Sequence, residues 1–336
     1  MAFRALLSGL VATWLLAAPP GPGPGAARAA TAARDHLTVV WASISGTMAA
    51  LWVGKEAGLF ERYGLQVSPV YLEGGTLVAQ ALTSGDVQLA QVGGPAVIRA
   101  ILGGAHLVII AAVVHTMTFD LVVQAEITRP GELRDKQIGV TRFGGATDLA
   151  ARFALTHFGL RPDKDVAVIQ IGGMPTMLAA MQARRVDGAM LSMPTSARAK
   201  KAGFRVLVEL ADLKLPYLHT TVTVHRGFLT SRRPVAVRFM RAYLDSIRRL
   251  KTDRELSLRV IGRYTRLTEP DVLEETYRVT VEKYLEEIPW PIPAGVGTIL
   301  KELGRGDARA PGMDPQQFVD ATVVREASGR EPPWGR

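Results

Sequence analysis

The stretch Gly74-Gly75-Thr76-Leu77-Val78-Ala79-Gln80-Ala81-Leu82-Thr83-Ser84-Gly85-Asp86-Val87-Gln88-Leu89-Ala90-Gln91-Val92-Gly93-Gly94-Pro95 decides how this chain folds. The paired glycines allow a tight bend, and Thr76 is a residue type that caps helices, so a helix is expected to begin there. Leu77, Ala81 and Leu82 give that helix an apolar side, and Gly85 is a natural stop. The run 87–92 reads as a short buried strand that delivers Gly93-Gly94-Pro95 to a second turn. Two glycine-rich loops delivered to one end of a sheet predict a ligand crevice.

Working outward, the same alternation of strand, small-residue loop and helix continues on both sides. Upstream, 37–42 is a buried-type strand, 43–47 a hydroxyl-rich loop, 48–60 a helix and 66–72 a strand. Downstream come a helix at 96–102 and strands at 107–114 and 119–124. The polar crossover 129–136 then starts a new unit: strand 137–141, loop 143–147, helix 148–158, strand 166–171, helix 175–183, strand 186–191, helix 195–202 and strand 205–210. This second series echoes the first at an offset of about 100 residues, as expected of two similar α/β lobes. Extended crossings near 123–126 and 220–224 predict a two-strand hinge. From 233 the pattern turns helical, with Val237, Met240, Leu244 and Ile247 on one face. The expected organisation is a first lobe from 33–124 and 222–328, a second lobe from 125–221, and a frayed tail at 329–336.

Composition narrows the class. The 336 residues are 48% hydrophobic and 21% charged, an ordinary globular balance over a length that suggests two lobes. Arg4, the apolar run 6–18 and the small-residue triplets at 27–29 and 30–32 have the form of an export signal over 1–32, with cleavage between Ala29 and Ala32. There are no cysteines, which excludes disulfides, thiolate metal sites, cysteine nucleophiles and a lipid-bearing cysteine at the cleavage point. The formal charge of +9 falls to +7 without residues 1–32 and favours anionic partners only weakly. The basic residues are scattered and not interleaved with aromatics, so nucleic acid is not an expected partner.

The loops at strand ends (43–47, 74–76, 93–95, 115–118, 142–147, 172–174 and 192–194) share small and hydroxyl residues, and several precede helices. Free N–H groups and helix dipoles there would suit an anionic group. Any one such loop reads more readily as ordinary capping; seven in two matching sets shift the reading toward a cleft. Ligand-binding candidates are therefore Ser45, Gly46, Thr47, Gly75, Thr76, Gly94, Thr116, Gly144 and Thr147, with Trp41, Met48, Met117, Phe143, Met174, Met193 and Tyr217 as apolar walls whose alternative role is core packing. Arg142 is a candidate for a ligand carboxylate, with a salt bridge as its alternative. The six histidines show no HExxH spacing, and no nucleophile elbow, Walker loop or complete dinucleotide fingerprint occurs. Neither a catalytic set, nor a metal, nor a cofactor is expected.

Three segments carry a resemblance: Thr47-Met-Ala-Ala-Leu-Trp52-Val-Gly-Lys-Glu56-Ala-Gly58-Leu-Phe60-Glu-Arg-Tyr63-Gly64-Leu65, then Gly85-Asp86-Val87, then Ile138-Gly139-Val-Thr-Arg142-Phe143-Gly144. Over about residues 37–285 the chain resembles the substrate-binding proteins of ABC transporters of the nitrate/sulfonate/taurine type, within the thiamine-pyrimidine-synthesis-like group. The resemblance implies a type II periplasmic binding protein fold, two α/β lobes joined by a two-strand hinge. It also implies a monomer in the periplasm that captures a small, anionic organic ligand and docks on an inner-membrane ABC permease. The alternatives are a pyrimidine or thiamine-precursor biosynthetic enzyme on the same fold, whose cysteine-rich segment this chain lacks, and the binding component of a sensor.

Overall fold

The computed structural model describes residues 34–334. The export signal expected over 1–32 and the last two residues of the expected tail lie outside the described residues.

Two five-stranded mixed sheets form the framework. The first contains β1 (Asp35–Trp41), β2 (Leu65–Tyr71), β3 (Leu89–Val92), β4 (Leu107–Val114) and, from far along the chain, β10 (Thr220–His225), in the order β2-β1-β3-β10-β4. The second contains β5 (Asp120–Val123), β6 (Gln137–Val140), β7 (Ala167–Gln170), β8 (Gly188–Leu191) and β9 (Arg205–Glu209), in the order β7-β6-β8-β5-β9. β1 runs parallel to β2 and β3, and β6 parallel to β7 and β8. In each sheet one strand lies antiparallel between two neighbours: β10 between β3 and β4, β5 between β8 and β9. The internal echo is thus a repeated topology in which each unit lends a strand to the other's position in the order.

That exchange corrects the expected hinge. The strand assigned to the first lobe at 119–124 pairs instead in the second sheet, because its apolar Leu121 and Val122 are buried against β8 and β9. β10 begins at Thr220, already in the first sheet. The two crossings therefore lie at 115–119 and 210–219, not at 123–126 and 220–224.

Local chemistry accounts for the element limits. All eight residues of β4 are buried although it ends the strand order, because its outer side is covered: Ala112 N–H donates to Pro289 O, Glu286 N–H to Val113 O and Asp320 N–H to Ile109 O. β2 tolerates Pro69 because it is an edge strand. The helix expected over 48–60 is interrupted at Gly58, whose φ of 64° is left-handed, giving helices Ala49–Glu56 and Leu59–Arg62. The long helix Arg233–Thr252 presents Val237, Met240 and Ile247 to the core as its periodicity requires, with Phe239, Tyr243 and Leu250 beside them. It packs on helix Ala49–Glu56 so closely that a Cβ at Gly54 would collide with Ser246 Oγ.

One apolar core runs through both sheets, from Val40, Ala90 and Ile109 to Val122, Ile138 and Met190. A second fills the other face of the first sheet, under Trp52, Phe60 and Phe239. A small third cluster joins Met193 and Ala197 to Leu267 and Val272. It ties helix Thr195–Lys201 to the start of helix Pro270–Tyr277, and three ion pairs flank it: Arg198–Glu269 at 2.7 Å, Lys201–Asp271 at 2.7 Å and Lys200–Glu275 at 3.9 Å.

Candidate functional site

Helices Gly75–Ser84, Gly94–Leu102, Ala146–His157 and Met174–Gln182 begin where strands end, and all four have a glycine at the N-cap: Gly74, Gly93, Gly145 and Gly173. None of these caps supplies a side-chain acceptor, so the first-turn N–H groups are not served by their own loops. Thr76, expected as a cap, lies inside its helix and donates its hydroxyl to Phe143 O at 2.9 Å. The glycines let the backbone itself form the wall. A Cβ at Gly93 would meet Ala146 Cβ at 2.8 Å, and one at Gly74 would meet the Arg142 side chain at 2.9 Å.

Between these helix ends lies a cavity of about 40 Å³ lined from both units by Ala42, Ser43, Ser45, Thr47, Met48, Gly74, Gly75, Gly93, Phe119, Thr141, Ala146, Thr147, Met174 and His219. It carries no carboxylate, no ammonium and no guanidinium. Its polar surface is hydroxyl and backbone. Thr220 donates to Thr47 Oγ1 at 3.0 Å, Thr47 Oγ1 lies 3.2 Å from Ser45 Oγ, and Ser192 donates to Ser45 Oγ at 3.1 Å. The Gln91 amide donates to Thr47 O from beneath. His219 is buried, and burial pulls its pKa down to about 3, so the imidazole is neutral. Its Nδ1 accepts from Thr118 N–H at 3.2 Å, which puts the ring proton on Nε2. A neutral cavity walled by donors at helix N-termini can hold an anion's oxygens without a buried counter-charge.

Of the residues singled out from sequence, Ser45, Thr47, Met48, Gly75, Thr147 and Met174 meet in this cavity. Thr47 and Thr147, at matching positions of the two units, face the same space. Thr147 does not cap its helix; it accepts from Thr141 N–H at 3.0 Å and pairs with Thr141 Oγ1 at 2.8 Å, fixing the exit of β6. Five others, Gly46, Met193, Arg142, Phe143 and Gly144, lie at the rim between the units. Gly46 N–H donates to Met193 O at 3.2 Å, and Arg142 Nε donates to Glu73 O at 3.0 Å. Phe143 is 48% exposed, and Gly144 turns beneath Arg99 with a φ of 78°.

The rest pack elsewhere. Trp41 belongs to an aromatic group with Trp52, Tyr71 and Tyr264, its centroid 5.0 Å from Trp52. Tyr217 and Met117 are core residues, and burial raises the Tyr217 hydroxyl. Gly94 is closed over by Leu218, whose O accepts from its N–H at 2.9 Å. Thr116 Oγ1 is buried with no partner among the described residues.

A second, more polar cavity of about 110 Å³ abuts the first through Thr47 and is lined by Thr118, Asp120, Ser192, Lys200, Glu209, Glu275 and the turn Arg278–Lys283. That turn is π-helical, a geometry found often at functional sites. Burial pushes the Asp120 carboxyl up to about 6, against the nearby Ser196 hydroxyl and Lys200. Sequence reasoning reached the loops at 115–118 and 192–194 but singled out neither Asp120 nor His219. The only signals were a lone acid before an apolar run and a lone histidine, neither distinguishable from many others.

Two mixed sheets of matching topology, bridged by two crossings and meeting at a cleft, define the periplasmic binding protein fold. Solved structures agree. The alkanesulfonate-binding protein SsuA from Xanthomonas axonopodis pv. citri, bound to MOPS, superimposes with a TM-score of 0.70 at 18% identity, covering 88% of this chain and 98% of that one. The nitrate-binding protein NrtA from Synechocystis PCC 6803 does so with a TM-score of 0.74 at 13% identity, covering 88% and 89%. The chain belongs to the NMT1-like family, whose model matches residues 32–260. The taurine-binding periplasmic protein of Escherichia coli K12 is 25% identical over 269 residues, 75% of this chain and 82% of its own. A Brucella abortus protein provisionally named a binding protein is 25% identical over 202 residues, 60% of this chain. The alignment spans 62% of that relative's length.

Proposed function

We propose that the chain is a periplasmic solute-binding protein. It would capture a small, anionic organic ligand in the cleft and deliver it to an inner-membrane ABC permease. The carrying observation is the cavity between the units, into which glycine-capped helix ends from both converge with no cation present. The named ligands of the similar proteins, an alkanesulfonate, nitrate and taurine, are oxyanions or carry one, which suits that chemistry. Two mobile lobes, 34–116 with 220–328 and 120–209, belong to this reading, and the hydrogen bond from Thr76 to Phe143 O is one contact that would part on opening. Export as a monomer with removal of residues 1–32 belongs to the same reading. A cavity of 40 Å³ admits little more than a water molecule, so a larger solute requires the lobes to part.

The test is a thermal-shift screen of the exported protein against sulfonates, carboxylates, nitrate, pyrimidines and amino acids. A true ligand at 100 times its dissociation constant stabilises by about 2.7 kcal/mol. Small-angle scattering with the hit should show compaction. No shift with any class would overturn the reading.

A further inference from the structure

A third cavity, of about 480 Å³, shares no lining residue with either cavity of the cleft. Positions 241, 244, 245, 248, 251 and 252 recur at helical spacing, so the long helix Arg233–Thr252 turns one face to it. Leu244, Ile247, Ile288 and Ala327 make its apolar part. Gly329, left-handed at a φ of 67°, ends helix Thr322–Ser328 and brings Arg330 to the same cavity. Four cations line it, Arg241, Arg248, Lys251 and Arg330, against two carboxylates, Asp245 and Glu287. Asp245 is committed: it accepts from the Tyr63 hydroxyl at 2.7 Å and pairs with Arg248 at 3.1 Å. The bond to Asp245 raises the pKa of the Tyr63 hydroxyl while Arg241 and Arg248 pull it back, which puts both guanidiniums within electrostatic reach of one group. Arg241, Lys251, Arg330 and Glu287 have no ion pair among the described residues. Lys251 lies in the last turn of its helix, where the dipole alone favours a cation, but Arg241 stands about three turns earlier and Arg330 on another segment. The wall therefore carries two positive charges in excess. Ser328 Oγ accepts from Arg330 N–H at 3.2 Å and keeps its own proton for a further acceptor.

We propose that this cavity binds a phosphate group, carried by a small phosphate ester or by a phospholipid headgroup, at a site separate from the solute cleft. A phosphomonoester has about two negative charges at neutral pH, which matches the excess on the wall, and its oxygens can accept from guanidinium, ammonium and hydroxyl together. A second groove of about 450 Å³ continues from the cavity through Asp245, Arg248 and Thr252, past Arg62 and the apolar Leu59 and Leu256, and gives room for the organic remainder. No wall of either comes from 120–209, so movement of that unit leaves the site intact.

Two assays of the full mature chain at pH 7.5 separate the sources: calorimetry with inorganic phosphate and glycerol 3-phosphate, and co-sedimentation with vesicles of phosphatidylcholine, alone or mixed with phosphatidylglycerol. Replacing both Arg241→Gln and Lys251→Gln should weaken the binding seen by about 10-fold or more. Lys164→Gln with Lys301→Gln, which removes the same charge from exposed positions outside the cavity, should change it by less than about 3-fold. Arg241→Lys with Lys251→Arg keeps both charges and should retain most of it. Melting curves report whether the helix variants fold, and Arg330→Gln, on a residue outside any helix, should weaken binding independently of them. Binding of the soluble phosphates assigns the site to a phosphate ester, and binding of the phosphatidylglycerol vesicles alone assigns it to a headgroup; either supports the proposal. No binding of any probe, binding that survives the loss of Arg241 and Lys251, or an equal loss in the control variant overturns it. Each of these outcomes leaves the solute-binding reading of the cleft standing.

Discussion

Replacing Asp120 by asparagine should make the protein more stable at neutral pH and not at acid pH, before any ligand is added. Burial pushes the carboxyl up to about 6 in the folded chain, from the 3.8 usual for an aspartate in water. The folded state therefore holds its proton over a range in which the unfolded chain has released it. Stability falls as pH rises from about 3.8 to 6 and stays lowered above that. A displacement of roughly two pH units at about 1.4 kcal/mol each amounts to about 3 kcal/mol of destabilisation at pH 7.5, an upper figure because the group faces a cavity. Asparagine keeps the shape and removes the charge, so the variant should gain up to that amount at pH 7.5 and nothing below pH 4. The assay is urea unfolding of both proteins at pH 4, 5, 6 and 7.5. Other carboxylates weaken the fold in acid, among them Glu269, drawn down to about 2 by its bond to Arg198, and Asp307, drawn to about 2 by Arg309. They are common to both proteins, so the difference cancels them. A stability gap that does not change with pH, or a variant weaker than the parent at pH 7.5, would refute the reasoning.

Two further outcomes follow from the geometry. Thr147→Val removes the acceptor of Thr141 N–H in a site 3% exposed, which should cost about 1–3 kcal/mol in urea unfolding, with Thr147→Ser recovering most of it; an unchanged midpoint would mean that the hydroxyl does not anchor β6. Arg198→Gln breaks the paired bonds of 2.9 and 2.7 Å to Glu269 that flank the third apolar cluster. The pair is partly exposed, so global stability should drop by about 1 kcal/mol or less. Scattering should nonetheless show a larger radius of gyration than the parent's at low salt, with the two converging at 1 M salt, and equal radii throughout would argue that this contact does not hold the lobes together.

Much of the architecture was legible in the chain because it depends on short-range chemistry. Periodicity and glycine placement give nearly every strand and helix, and the repetition of strand, small-residue loop and helix about 100 residues apart implies two like units. The runs around Glu56-Ala57-Gly58-Leu59-Phe60 and Gly85-Asp86-Val87 carry the family resemblance. The loops that line the cleft were legible for the same reason, since a glycine-rich turn between strand and helix delivers backbone to a sheet edge whatever surrounds it. Which side chain in each loop faces the cleft was not. Trp41, Tyr217 and Met117 sit beside cleft loops in sequence, yet their large apolar surfaces are buried in cores or against other rings, and that choice depends on distant Trp52, Val296 and Ile299. The exchange of β5 and β10 between sheets was hidden because an apolar strand is equally satisfied in either sheet until its neighbours are known. The environment of Asp120 is wholly tertiary: Glu209, Lys200 and Glu275 come from three separate elements, and their meeting commits Lys200 to the two glutamates and leaves Asp120 without an ion pair among the described residues. Sequence determines what each segment can be, whereas the balance of charge and solvent at a site depends on which segments fold against one another.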